Sequence, residues 1–235
     1  MTANARLAPR VLAAMELFRG LPESALGSVA ARARVRRLPK ELRIFSQGED
    51  GVRAHAVVEG GVRIAQSRSD GAQVIIRFIG PGEMFGTVAL FTDGRYPADA
   101  ITLAETLEAS WSETDLLELI HRHPQIGINV IRTIGRRLQE VQDRVRELAT
   151  QCAEKRIAHA VLRLARQAGQ STIGGTAIAF PLRRKDVADI AGTTLHTASR
   201  ILTAWEKAGF VTTVSQRLTI RRPAELVRIA ENATD

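Results

Sequence analysis

The stretch RKDVADIAGTTLHTASRILTAWEKAGFV, residues 184–211, reads as two short helices crossing at a tight turn. Such a helix-turn-helix makes steric demands on its sequence. Val187 and Ala191, four apart, share the inner face of the first helix, and Ala188 is small where the second helix has to come close. Gly192 falls at the turn, where a positive φ costs little only for glycine. Thr193 or Thr194 caps the second helix, whose inward face is Ala198, Ile201 and Leu202. Its outer face presents Leu195, His196, Ser199 and Arg200. An arginine there can make a bidentate contact to guanine O6 and N7 in the major groove. Arg184, Thr193 and Thr194 lie at helix ends, where side chains meet a phosphate backbone without reading sequence. Taken singly, Gly192 is any helix C-cap and Arg200 any solvated arginine; the combination is what points to DNA.

Downstream, Phe210–Ile220 reads as a hairpin, the wing of a winged helix-turn-helix, with Arg217, Arg221 and Arg222 near the backbone. Charge agrees. The chain carries +8, and residues 151–235 hold 13 of its 33 basic and seven of its 25 acidic residues, so +6 lies in the last third. A polyanion partner suits that distribution, as does an ordinary basic surface.

Upstream of that segment, Ile131, Ile134, Leu138, Val141, Val145, Leu148 and Cys152 follow at alternating spacings of 3 and 4. That is an a/d seam on a long helix running from near Pro124 to near Cys152, and a stripe so narrow suits a partner helix, hence a homodimer. A helix, Glu154–Gln167, and a Gly/Ser/Thr loop, Gly169–Thr176, lead to the helix-turn-helix. From about residue 41 to 112 short apolar runs are cut by turn signals at Gln47–Gly51, Glu59–Gly61, Ser69–Gly71 and Gly80–Gly82. Regular short strands so punctuated predict an antiparallel barrel or roll. Before them, Leu7–Arg36 reads as helix broken at Gly20-Leu21-Pro22. The predicted class is α+β, with a sensor domain at 1–123, a dimerisation helix at 124–152 and a DNA-binding domain at 153–235.

Several classes are excluded. With 235 residues, 45% of them apolar and 25% charged, the chain is too hydrophobic for wholesale disorder and long enough for a real core. No apolar run approaches the roughly 20 residues of a membrane span, and Met1–Arg10 lacks a signal-peptide pattern, so a cytoplasmic protein with no membrane partner is expected. The single cysteine, Cys152, excludes an intrachain disulfide and any zinc or iron–sulfur site held by four thiolates of one chain. No GxxxxGK[ST], HExxH, CxxC or GxSxG motif is present, and no catalytic residue or metal ligand is assigned.

Three motifs in order resemble the Crp–Fnr family of bacterial transcription regulators: Ile44–Glu49 with Glu59–Val62, Gly82–Gly86, and Thr193–Arg200. The resemblance implies a cupin-like β-roll like a cyclic-nucleotide-binding domain, a long dimer helix and a winged helix-turn-helix. It implies a symmetric dimer on a palindromic double-stranded DNA site, with RNA polymerase as a further partner. It adds Thr197 to the DNA-facing set and places the effector pocket at Gly82, Glu83, Phe85, Gly86, Thr87, Arg95 and Tyr96.

Departures from the family pattern bear on the signal. His196 stands where many members have a glutamate, so the base opposite it is open. Cyclic-AMP-binding members have a glutamate after the pocket glycine and an arginine–serine pair for the phosphate; here those positions are Thr87, Pro97 and Ala98. A phosphate charge left unpaired and partly buried is costly, so the reading goes against cyclic AMP. The lone cysteine goes against the iron–sulfur branch. Arg95-Tyr96-Pro97-Ala98 and the histidine-bearing recognition helix look more like the branch that answers nitric oxide. Some of that branch use haem, which needs an axial ligand; His55, His121, His123 and His159 are the candidates by residue type, none favoured. The cofactor is left open. The competing reading from another class is a small-molecule-binding signalling module with no DNA role, in which Arg200 is dispensable.

Overall fold

A computed structural model describes residues 7–67 and 73–231, so the Ser69-Asp70-Gly71 turn lies outside the described residues. The chain divides into two compact units, Met1–Gln73 with Ile79–Glu140, and Val74–Phe78 with Val141–Asp235.

The first unit opens with α1 (Pro9–Ala14), a 3-10 turn (Glu16–Phe18) and α2 (Glu23–Arg32). The helical reading of Leu7–Arg36 is corrected at both ends: the helix breaks after Ala14, and β1 begins at Arg34. Eight strands follow in order: β1 (Arg34–Leu38), β2 (Arg43–Phe45), β3 (Arg53–Glu59), β4 (Val62–Ser67), β5 (Gln73–Ile79), β6 (Met84–Phe85), β7 (Asp99–Thr102) and β8 (Thr106–Ser112). They form two four-stranded sheets, ordered β1-β8-β3-β6 and β2-β7-β4-β5. In β3 the side chains alternate between two cores, as the period of a strand requires. Ala54 and Ala56 join the helices, with Trp111, Phe18 and Leu12. Val57 faces the other sheet, with Phe45, Val62 and Phe85. Trp111 anchors the helical layer: fully buried, it donates its indole N–H to the Val29 carbonyl (2.9 Å) and meets Phe18 edge-on.

After α3 (Glu113–Arg122), α4 runs from Pro124 to Thr150. Proline opens a helix well because its missing N–H is one the first turn leaves unpaired. Ile126 and Val130 of α4 are buried in the first unit, whereas Ile131, Ile134, Leu138, Val141, Val145 and Leu148 are all 45–71% exposed in the single chain. Cys152 departs from the expected seam. The chain leaves α4 after Thr150, so Cys152 is the exposed N-cap of the next helix and lies off the seam's helix.

The second unit contains α5 (Ala153–Ala168), β9 (Gly169–Thr172), β10 (Gly175–Ile178), α6 (Arg184–Ala191), α7 (Leu195–Lys207), β11 (Val211–Val214), β12 (Arg217–Ile220) and α8 (Pro223–Glu231). The predicted Gly169–Thr176 loop is instead a hairpin, and it completes a sheet ordered β11-β12-β10-β9. Buried Ile157, Val161 and Leu164 give α5 its inner face, and α8 brings Leu226 and Ala230 to the interior. No helix among the described residues is long and apolar enough to cross a membrane.

Candidate functional site

The turn between α6 and α7 is built as its sequence requires. Gly192 adopts φ 62°, the left-handed region that favours glycine, and a Cβ there would come within 2.5 Å of Leu148 Cδ2, the end of an exposed side chain that would have to turn aside. Of the two possible caps, Thr194 serves: its hydroxyl accepts from the Thr197 N–H (3.1 Å) and meets the Thr197 hydroxyl (3.0 Å). Ala198, Ile201, Leu202 and Trp205 of α7 are buried. Leu195, His196 and Arg200 are exposed and Ser199 and Thr197 half-buried, so the expected reading residues share the outer face. That face is an open groove lined by His196, Ser199, Arg200, Thr203, Ala204 and Lys207. Thr203 and Lys207 were not foreseen, although both continue the helical spacing from Ser199 and Arg200.

Arg184 is placed differently from its expected role at a phosphate. Its guanidinium donates to the Ser199 carbonyl (2.6 Å), the Thr203 hydroxyl (2.8 Å) and Glu206 (2.8 Å). With three contacts to α7 and its side chain 35% exposed, Arg184 is a strut along the flank of α7. Two further arginines close the C-terminal end of α6, where helix carbonyls lack intrahelical partners. Arg144 of α4 donates to the carbonyls of Asp189 (3.3 Å) and Ile190. Arg156 of α5 donates to those of Ala191 (2.9 Å) and Gly192 (3.1 Å). Burial, and then the neighbouring Arg163, pushes the Arg144 pKa down from its usual value. Neither contact has a local signal, since the arginines lie 45 and 35 residues from their acceptors.

The wing between β11 and β12 is a two-residue turn in which Ser215 (φ 49°) and Gln216 (φ 63°) are both left-handed. That pair of angles matches the twist of a hairpin but strains residues other than glycine. The Leu182 N–H donating to the Gln216 carbonyl (2.7 Å) helps hold it. Val214 and Arg217 are exposed at its tip.

Inside the first unit, the expected effector residues separate into two groups. Phe85, Gly86 and Tyr96 converge on His55. The His55 ring stacks on Phe85, and Tyr96 stacks on Phe45 (centroids 3.6 Å apart). A Cβ on Gly86 (φ 72°) would lie 2.9 Å from both His55 Cδ2 and the Arg53 carbonyl. Gly82 and Glu83 form the preceding turn, where the Glu83 carboxylate accepts from the Gly80 N–H (2.8 Å). Thr87 is buried, whereas Arg95 is exposed and paired with Asp50 (3.0 Å).

Around His55 lies a polar chain that the motifs did not reveal. His55 Nδ1 is 2.5 Å from Glu108 Oε1, and Nε2 is 3.0 Å from the Tyr96 hydroxyl. Glu108, fully buried, also accepts from Arg36 Nε (2.9 Å), and the Tyr96 oxygen accepts from the Arg53 N–H (2.8 Å). Burial pushes the His55 pKa down against the pull of Glu108. Burial opposes ionisation of Glu108 too, but hydrogen bonds from His55 and Arg36 outweigh it and hold its carboxyl below the ordinary range. A neutral imidazole donating from Nδ1 to Glu108 and accepting at Nε2 from the Tyr96 hydroxyl fits the two shorter contacts, with the Arg53 carbonyl sharing the Tyr96 proton at 3.3 Å. Both nitrogens of His55 are thereby engaged, which leaves none for a metal. A single ionisable residue inside each of two apolar strand segments, Ala54–Val57 and Leu107–Trp111, was the available signal.

The residues at the family's phosphate positions do not fit a cyclic phosphate: Thr87, Pro97 and Ala98 supply no cation, and Arg95 is exposed and paired with Asp50.

Comparison with known proteins follows this geometry. Residues 35–123 match the cyclic nucleotide-binding domain family, and residues 155–229 match the Crp-like helix-turn-helix domain family. The Cyclic AMP receptor protein of Thermus thermophilus is 31% identical over 214 residues, covering 91% of this chain and 96% of that protein. The Nitrogen fixation regulation protein FixK of Azorhizobium caulinodans is 28% identical over 206 residues, covering 87% of this chain and 79% of that one. The structure of FixK2 from Bradyrhizobium japonicum superposes with a TM-score of 0.74 at 24% identity, covering 86% of this chain and 99% of that one, and supports the fold alone.

Proposed function

The chain belongs to the Crp–Fnr family of transcription regulators, carrying its DNA-binding helix-turn-helix, and from that premise we propose that it works as a homodimer on a palindromic DNA site under control of a signal received by the β-roll. The observation that carries the DNA reading is α7: its apolar side is buried, Arg184 braces its flank, and His196 and Arg200 are left to solvent beside the half-buried Ser199. Arg200 reads a guanine, and Ser199 and His196 contact neighbouring base edges or phosphates. Thr193, Thr194, Thr197 and Arg217 position the protein on the backbone. The occupant of the exposed α4 seam is a second copy, because six apolar side chains at heptad spacing match their own counterpart. The proposed division of labour is a sensor at 1–123, a dimer helix at 124–152 and a reader at 153–235, working in the cytoplasm with RNA polymerase as a further partner.

Changing Ile134 and Leu138 together to Ala tests the dimer. Sedimentation velocity should show loss of dimer at micromolar protein, and fluorescence anisotropy should show a matching loss of affinity for a palindromic duplex. Unchanged sedimentation and binding would remove the seam from the account.

The signal we propose is a gas, redox or small-molecule effector other than cyclic AMP. The alternative, a cyclic-nucleotide-responsive regulator, draws support from the domain match at 35–123 and the relative named Cyclic AMP receptor protein. The missing cation weighs against it. Calorimetric titration with cyclic AMP separates the two: saturable binding favours the alternative, and none favours the proposal. A Soret band in freshly purified protein would establish haem among the effectors.

A further inference from the structure

We infer that a basic cleft between the Glu16–Arg19 segment and α4 binds a small polyanion: a compact molecule with two or more negative charges on clustered oxygens. The cleft has a volume of about 300 Å³ and is lined by Glu16, Arg19, Asn129, Arg132, Thr133 and Arg136. That size is at the lower end of small-molecule pockets, which suits a small metabolite rather than a large one.

Its floor is rigid. Asn129, 5% exposed, donates both amide hydrogens, to the carbonyls of Leu17 (3.0 Å) and Arg19 (2.9 Å), and accepts from Gln125 (3.0 Å). The backbone from which Arg19 projects is therefore pinned to α4. Thr133, 7% exposed, completes the floor, and its hydroxyl has no hydrogen-bond partner among the described residues. Arg132 and Arg136 stand four apart on α4, so their side chains share one face of the helix.

The charges are unequal. Glu16 is the cleft's one carboxylate and pairs with Arg136 and with Arg137 (3.0 Å), while Arg136 also meets Glu140 (2.9 Å). Arg19 and Arg132 have no acceptor among the described residues. Other arginines of the same unit, such as Arg37, Arg63 and Arg95, each meet a carboxylate. Four guanidinium groups against two carboxylates leave two positive charges, held together at a mutual cost that an anion of matching charge relieves. Guanidinium forks engage oxyanions two oxygens at a time, and the Thr133 hydroxyl adds a neutral donor at the base. Phosphate esters and polycarboxylates share that chemistry.

The test is calorimetric titration of the full-length protein with sodium phosphate and with sodium citrate, against sodium chloride at equal ionic strength. Saturable binding of either probe is expected, and the tighter of the two identifies the source as phosphate ester or polycarboxylate. Arg19→Gln and Arg132→Gln should each weaken binding about 10-fold or more, as loss of a charge-assisted contact implies, whereas Arg95→Gln should leave it unchanged. Both altered side chains are exposed and unbonded, so these variants keep the fold. Arg200→Ala separates this site from the DNA face, and binding should survive it. Binding no stronger than chloride, indifferent to Arg19 and Arg132, or abolished by Arg200→Ala would overturn the inference.

Discussion

His55 and His196 stand in opposite circumstances. Inside the roll, His55 is 3% exposed and both its ring nitrogens are engaged, with Phe85 against its face. On α7, His196 is exposed on the rim of an open groove. The contrast extends to their surroundings. The roll turns Glu108, His55 and Tyr96 inward onto one another, so a change at any of them is felt first as stability. The reader keeps the inward face of α7 apolar and ties α6 and α7 down through Arg144, Arg156 and Arg184, while His196 and Arg200 remain exposed for a partner. Ionisable residues in the two regions therefore answer to different measurements.

Glu108→Ala should break this contrast with the largest effect. It leaves His55 Nδ1 and the Arg36 guanidinium without their buried carboxylate. Leaving His55 Nδ1 buried and unsatisfied costs about 1–3 kcal/mol, and the lost charge-assisted bond from Arg36, 31% exposed at its side chain, adds to it, read as a lower midpoint in urea unfolding followed by circular dichroism. Loss below about 1 kcal/mol would mean that the pair is solvated in solution. Arg200→Ala should do the reverse, leaving the urea midpoint in place and costing about 1–3 kcal/mol of DNA affinity at one base position. Anisotropy titrations on duplexes substituted one base pair at a time would reveal it, and equal loss on every duplex would reassign Arg200 to the backbone.

The reader was legible in sequence and the polar chain of the roll was not, for one physical reason. Gly192, Thr194 and the α4 seam are local signals: a left-handed turn, a cap and a helical period each fit within a few residues. His55 and Glu108 lie 53 residues apart, and only strand pairing places them together. β1 was misread for a related reason. Arg34, Arg36 and Arg37 look helical beside the preceding alanines, and only the burial of Val35 and Leu38 reveals the strand. Nor do the four exposed residues of β9 alternate in polarity; they become a strand because β10 pairs with both β9 and β12.

A smaller effect sharpens the account of the reader. Thr194→Ala removes the hydroxyl that accepts from the Thr197 N–H at the start of α7. A lost N-cap costs about 1 kcal/mol, and here the first turn to fray is the one carrying His196. The urea midpoint should fall modestly, and hydrogen exchange at residues 195–198 should quicken before the rest of α7. Uniform exchange along α7 would show that packing of Ala198 and Ile201 holds the turn without its cap.

Smallest of all is the pH response of the roll, and its sign follows from burial. The folded pKa of His55 is lowered, so as pH falls through the ordinary histidine range the unfolded chain takes up a proton that the folded one refuses. Stability therefore falls with acidification, by about 0.7 kcal/mol between pH 7 and 6 for a histidine kept neutral in the fold. Glu108, whose folded pKa is also lowered, contributes stability above the ordinary carboxylate range and loses it only in stronger acid, outside this interval. The cations nearest the ring, Arg36 and Arg53, act in the same direction as burial. His55→Gln should thus flatten the dependence of unfolding free energy on pH between 7 and 6, while His196→Gln leaves it intact. A slope that steepens in His55→Gln would mean that the imidazole is charged beside Glu108, with the donor and acceptor roles reversed at Tyr96, and an unchanged slope would mean that burial leaves His55 titrating as it does in the unfolded chain.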